Sequence, residues 1–115
     1  MKIIYGGVKR EKNFLRGLQK QMRVKDSSLI HSYKSFPSSL SNVSAVVLSG
    51  DLKPFFQSRN KLSSFVYDAR RDNTCLFFLG RYYDKPVEII NKEFTRIRAS
   101  NRTLERIGKD IFSLI

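Results

Sequence analysis

Two glycine turns carry the residue types that meet phosphate. YGGVKRE, from Tyr5 to Glu11, sets Gly6 and Gly7 just before Lys9 and Arg10, and LSGD sets Ser49, Gly50 and Asp51 after an apolar run. Backbone amides at a helix start, joined by basic side chains, suit an anion. These seven residues therefore form a candidate site for a nucleotide or another small phosphorylated ligand. Neither turn completes a nucleotide-binding pattern, since the chain has no GxGxxG and no GxxxxGK[ST]. Catalytic constellations are thinner still. His31 is the sole histidine and has no carboxylate partner close by in sequence. Asp84 and Glu88 resemble the acids of metal-assisted phosphodiester cleavage, but Glu88 lacks a Lys two positions on. Cys75 is the only cysteine, so an internal disulfide is impossible, and within TCLFFLG it reads as a buried, inert thiol. No catalytic residue, metal or cofactor is assigned, and the reading leans away from an enzyme.

Charge is the stronger signal. Lys and Arg number 22 against 10 Asp and Glu, a net charge of +12, and a field of that sign draws polyanions. Placed on helices, the cations align. Lys12, Arg16, Lys20 and Arg23 fall within about 80° of one another at ~100° per residue, opposite Phe14, Leu18 and Met22. Arg98, Arg102, Arg106 and Lys109 cluster in the same way opposite Ile97, Leu104 and Ile111 if that stretch is helical. Glu11, Glu93, Glu105 and Asp110 dilute the basic side only in part. LGRYYDK adds Arg81 beside Tyr82 and Tyr83, a place where rings stack on unpaired bases. No zinc-finger spacing or RNA-recognition signature accompanies them, so sequence-specific readout is not expected.

These residues need elements to position them. Lys2 to Tyr5 reads as a strand, and Phe14, Leu15, Leu18 and Met22 recur at helical spacing after it. SSLIHSYKSF reads as a second strand, with Leu29, His31 and Tyr33 on one face, and PSSLSN as a loop or a helical turn. Val43 to Asp51 is a nearly continuous apolar run, as in a central strand covered on both faces. Leu52 to Asp68 reads as one helix with Pro54 in its first turn. ARRDN is a turn and TCLFFLGRYY another buried strand. From Pro86 onward Val87, Ile90, Phe94, Ile97, Asn101, Leu104, Gly108, Ile111 and Ile115 alternate spacings of three and four. That stripe predicts a long amphipathic helix, with RASN as the point where it would split in two. The same stripe, with a polar Asn101 in it, suits a homodimer through this helix.

Strands alternating with helices in 115 residues, 41% of them hydrophobic, predict a single α/β domain over residues 1–115. The expected fold is a small three-layer Rossmann-like or flavodoxin-like sandwich with a mainly parallel sheet and a long C-terminal helix. YGGVKRE resembles the strand-to-helix turn of Rossmann-like domains, which implies loops meeting at one sheet edge where ligands bind. The layout is also similar to phosphoacceptor receiver domains, but those place an acidic pair where Gly6 and Gly7 stand here, so phosphotransfer to Asp51 is not expected. No run is long and apolar enough for a membrane helix, and the first residues lack the order of a secretory signal; a cytoplasmic protein is expected. The leading functional expectation is a sequence-tolerant RNA or DNA binder gripping phosphates with two basic helix faces. Its alternatives are the small-ligand site at the glycine turns and docking on an acidic protein partner.

Overall fold

A computed structural model describes residues 1–80 and 92–115. Its strands are β1 (Lys2–Gly6), β2 (Asp26–Ile30), β3 (Ala45–Ser49), β4 (Cys75–Gly80) and β5 (Thr95–Arg98). The helices among the described residues are α1 (Lys12–Met22), α2 (Leu52–Phe56), α3 (Arg59–Arg71) and α4 (Leu104–Leu114), with 3₁₀ turns at Lys9–Glu11 and Tyr33–Ser35. The strands form one sheet in the order β2-β1-β3-β4-β5, and every pairing is parallel. This is the flavodoxin-like order, in which the chain reverses its direction across the sheet between β1 and β3. The expected α/β sandwich is therefore what the chain forms.

Alternation along the strands divides the core in two. Ile4, Val46, Leu48, Leu76 and Phe78 face a layer built by α2, α3 and the segment around Phe36. Ile3, Tyr5, Ala45, Val47, Phe77 and Leu79 face α1 and α4. The first layer is aromatic: Phe36 stacks on Phe65 at 4.6 Å between centroids, and Phe55 meets Phe56 edge-on at 5.0 Å. The second is aliphatic and tight. Gly17 of α1 and Gly108 of α4 let the two helices approach until a Cβ on Gly17 would lie 3.0 Å from Leu104, and one on Gly108 3.2 Å from Met22.

The expected C-terminal helix is not continuous. Thr95–Arg98 is strand β5, with Ile97 buried between exposed Thr95, Arg96 and Arg98. Phe94 and Ile97 are spaced as on a helix, yet they enter opposite cores. After β5 the chain is helical again over residues 104–114, started by Thr103, whose hydroxyl accepts from the Arg106 N–H at 3.2 Å. Asn101, a seam position by its spacing, instead takes a left-handed turn at φ 58°. The single helix expected from Leu52 to Asp68 is also two helices. Gln57 ends α2 in the left-handed region, and Ser58 starts α3 by accepting from the Lys61 N–H; α3 then runs to Arg71, through the first part of the expected ARRDN turn. Strand β2 stops at Ile30, so Tyr33 lies in a 3₁₀ turn against Phe36 and Phe56. Cys75 is half-buried rather than buried.

Candidate functional site

In a parallel sheet every strand ends at the same edge, so the turns after β1 and β3 meet where these neighbours part. The structure brings Gly6, Gly7, Ser49 and Gly50 together there: a Cβ on Gly7 would lie 2.7 Å from the Ser49 carbonyl oxygen, and one on Gly6 2.8 Å from Leu48. Both glycines of the first turn are thus required by packing. His31 donates from Nδ1 to the Gly7 carbonyl at 3.1 Å, which ties the end of β2 to the same turn. Asp51 accepts from the Lys53 N–H at 3.0 Å and caps α2.

The middle of this crevice is filled from within. Glu11, at the end of the first 3₁₀ turn, is 1% exposed and its Oε1 accepts from the Ser49 hydroxyl at 2.8 Å. Gly50, at φ 87°, passes so close that a Cβ there would lie 2.7 Å from that same oxygen. The acid occupies the space over Ser49 and Gly50 that an incoming phosphate would need. Lys9 and Arg10 are exposed and carry their charge into solvent. Sequence reasoning missed Glu11, which in KREK looks like one more surface charge.

The basic residues divide sharply by partner. Lys12, Arg16, Lys20 and Arg23 are all exposed along α1, and among the described residues no ion pair or side-chain hydrogen bond engages any of them. At α4 each of three cations has an acidic partner: Arg102, just before the helix, and Arg106 share Asp110 at 3.2 and 3.3 Å, and Lys109 reaches Glu105 at 3.1 Å. Arg98 is exposed at the end of β5, off the helix. Toward the opposite edge of the sheet Arg70 pairs with Glu93 at 2.5 Å and Arg71 with Asp68 and Asp72.

α1 and α4 share a layer, but the two sets of cations do not merge. Gly17 and Gln21 look toward α4, and at ~100° per residue they lie on the order of 100° or more around α1 from the mean of Lys12, Arg16, Lys20 and Arg23. Gln19, on the other flank, donates to Ser27 of β2 at 2.8 Å. The α1 row therefore faces outward on the β2 side of the layer, while the groove between the helices is lined by Gln21, Met22, Glu105, Gly108, Lys109 and Phe112. Arg81, Tyr82, Tyr83, Asp84 and Glu88 lie outside the described residues. Among the described residues no three His, Cys, Asp or Glu side chains gather as a metal site would require, and no helix is long and apolar enough to cross a membrane. No protein-family model, curated protein or solved structure matches the chain, so its functional reading rests on this arrangement of charge.

Proposed function

We propose that the chain binds nucleic acid through the phosphodiester backbone, with little dependence on base sequence. The observation that carries this reading is the partition of charge: α1 presents Lys12, Arg16, Lys20 and Arg23 exposed and, among the described residues, without acidic partners, whereas Arg102, Arg106 and Lys109 pair with Asp110 and Glu105. Cations without partners are free to neutralise a phosphate chain, and the counterions that chain then releases are the entropic source of such binding. Arg suits the task through its forked donors and Lys as a point charge. A small phosphorylated ligand in the glycine crevice fits less well, because Glu11 fills the place. An acidic protein partner is disfavoured too. Protein interfaces are anchored by buried aromatic side chains, but the α1 row is flanked by Asn13 and Gln19, and the exposed Phe112 and Leu114 belong to α4.

The test is fluorescence anisotropy with labelled mixed-sequence RNA and DNA across a salt series. Four phosphate contacts give a slope of log K against log salt of about −3 on single strands. No binding at low ionic strength, or binding indifferent to salt, would overturn the proposal.

A further inference from the structure

The cations without partners do not stop at α1. The edge of the sheet where all strands end carries Lys9 and Arg10 in the first 3₁₀ turn, Lys34 in the second, Lys53 in α2 and Arg59 at the start of α3, all exposed. As on α1, no ion pair or side-chain hydrogen bond engages them among the described residues. Among the described residues the acids nearby are already committed: Asp51 caps α2, Glu11 is buried against Ser49, and Glu105 pairs with Lys109. Lys9 and Arg10 directly precede α1, so the row on that helix continues onto this rim. Lys34, Lys53 and Arg59 carry it across to the opposite layer, where Tyr33, Phe55 and Phe56 pack.

The track turns a corner. It runs along α1, whose 11 residues span ~16 Å at 1.5 Å each, and then over the end of the sandwich, across two spacings between packed layers of ~10 Å each. Its whole length is on the order of 35 Å, bent near the start of α1 between a side and an end of the molecule. Because Glu11 fills the crevice between Gly7, Ser49 and Gly50, the described part of the rim offers a charged surface. A duplex is stiff over ~150 base pairs and cannot follow a bend of that kind over so short a length without a large deformation cost. A single strand turns within a few nucleotides. Resting on the nucleic-acid reading above, we infer that the partner is single-stranded RNA or DNA, laid along α1 and over the rim made by Lys9, Arg10, Lys34, Lys53 and Arg59. The stretch covered is roughly 6 to 10 nucleotides, within the range of other single-strand sites.

The experiment compares the full chain with a Lys9→Ala, Lys53→Ala, Arg59→Ala variant. These side chains are exposed and unpaired, so the variant keeps its fold, which its melting curve verifies. The probes are a labelled mixed-sequence RNA of about 12 nucleotides, the matching DNA, and a blunt duplex of the same sequence. Expected is preference of the full chain for the single strands, and in the variant a loss of about 2 from the salt slope on them. That loss corresponds to a roughly 20-fold smaller change in affinity between about 50 and about 200 mM salt, with duplex binding little altered. The inference is overturned if the full chain prefers duplex, or if the variant binds single strands with unchanged affinity and slope. If neither form binds any probe at low salt, the nucleic-acid reading itself fails; if binding is lost on removing Arg16 and Lys20 but survives in the rim variant, only the path over the rim fails.

Discussion

Gly50→Ala probes the contact by which Glu11 fills the crevice. Gly50 has φ 87°, where an L residue costs about 1 to 2 kcal/mol. The added methyl would also lie 2.7 Å from Glu11 Oε1 and 2.9 Å from its Cδ. Glu11 must then leave its site, and the buried Ser49 hydroxyl loses its acceptor at 2.8 Å, which costs a further ~1 to 3 kcal/mol. The sum centres on about 3 to 4 kcal/mol, a large part of the ~5 to 15 kcal/mol that holds a small domain. The chain has no Trp, so urea unfolding is followed by far-ultraviolet circular dichroism, and the midpoint should fall by roughly 1.5 to 2 M for a slope of ~2 kcal/mol/M. Glu11→Ala removes the obstacle, and in that background the same change should cost only the backbone strain, leaving a coupling of about 2 kcal/mol. Equal costs of Gly50→Ala with and without Glu11 would refute the argument that Glu11 fills the crevice.

Four further outcomes are expected. Burial pushes the Tyr5 phenol up to about 12 from its ordinary 10.0, so between those values the unfolded chain holds fewer protons and stability falls as pH rises; it is present in full below pH 10. Tyr5→Phe should lack that component of about 2 kcal/mol, read as a flatter dependence of the urea midpoint on pH from 10 to 12, and identical slopes would contradict it. Gly7→Ala should cost at least ~2 kcal/mol in thermal melts, because its methyl meets the Ser49 carbonyl at 2.7 Å. Gly80→Ala should be nearly neutral by the same melts, since among the described residues its nearest neighbour is an Arg96 nitrogen at 3.9 Å. Thr103→Ala removes the acceptor for the Arg106 N–H and should cost about 1 kcal/mol, with Thr103→Ser recovering most of it.

β1, β3 and β4 were legible because strands covered on both faces read as continuous apolar runs, and Ile3–Ile4–Tyr5, Ala45–Leu48 and Leu76–Leu79 are all buried. β5 was not, because an edge strand of four residues with only Ile97 buried is too short for its period of two to outweigh a chance helical spacing. The break at Gln57 and Ser58 was hidden for a related reason: the N-cap is present, but Lys61 stands where a capping box has Glu or Gln. The α1 row was readable residue by residue from its period. Its difference from the α4 cations was only partly readable: Glu105 and Lys109, and Arg106 and Asp110, are four apart, whereas the link from Arg102 to Asp110 depends on where the helix starts. Glu11 was out of reach, since its burial follows from Gly50 coming from the far side of β3.

The central claim is that cations without acidic partners bind phosphate and that paired ones contribute little. It is tested most directly by setting Lys12→Ala, Arg16→Ala, Lys20→Ala beside Arg102→Ala, Arg106→Ala, Lys109→Ala in the same salt series on single-stranded RNA. The account predicts that the α1 variant loses about 2 from the salt slope and the α4 variant less than about 1. An α1 variant that keeps its slope while the α4 variant loses it would contradict the account.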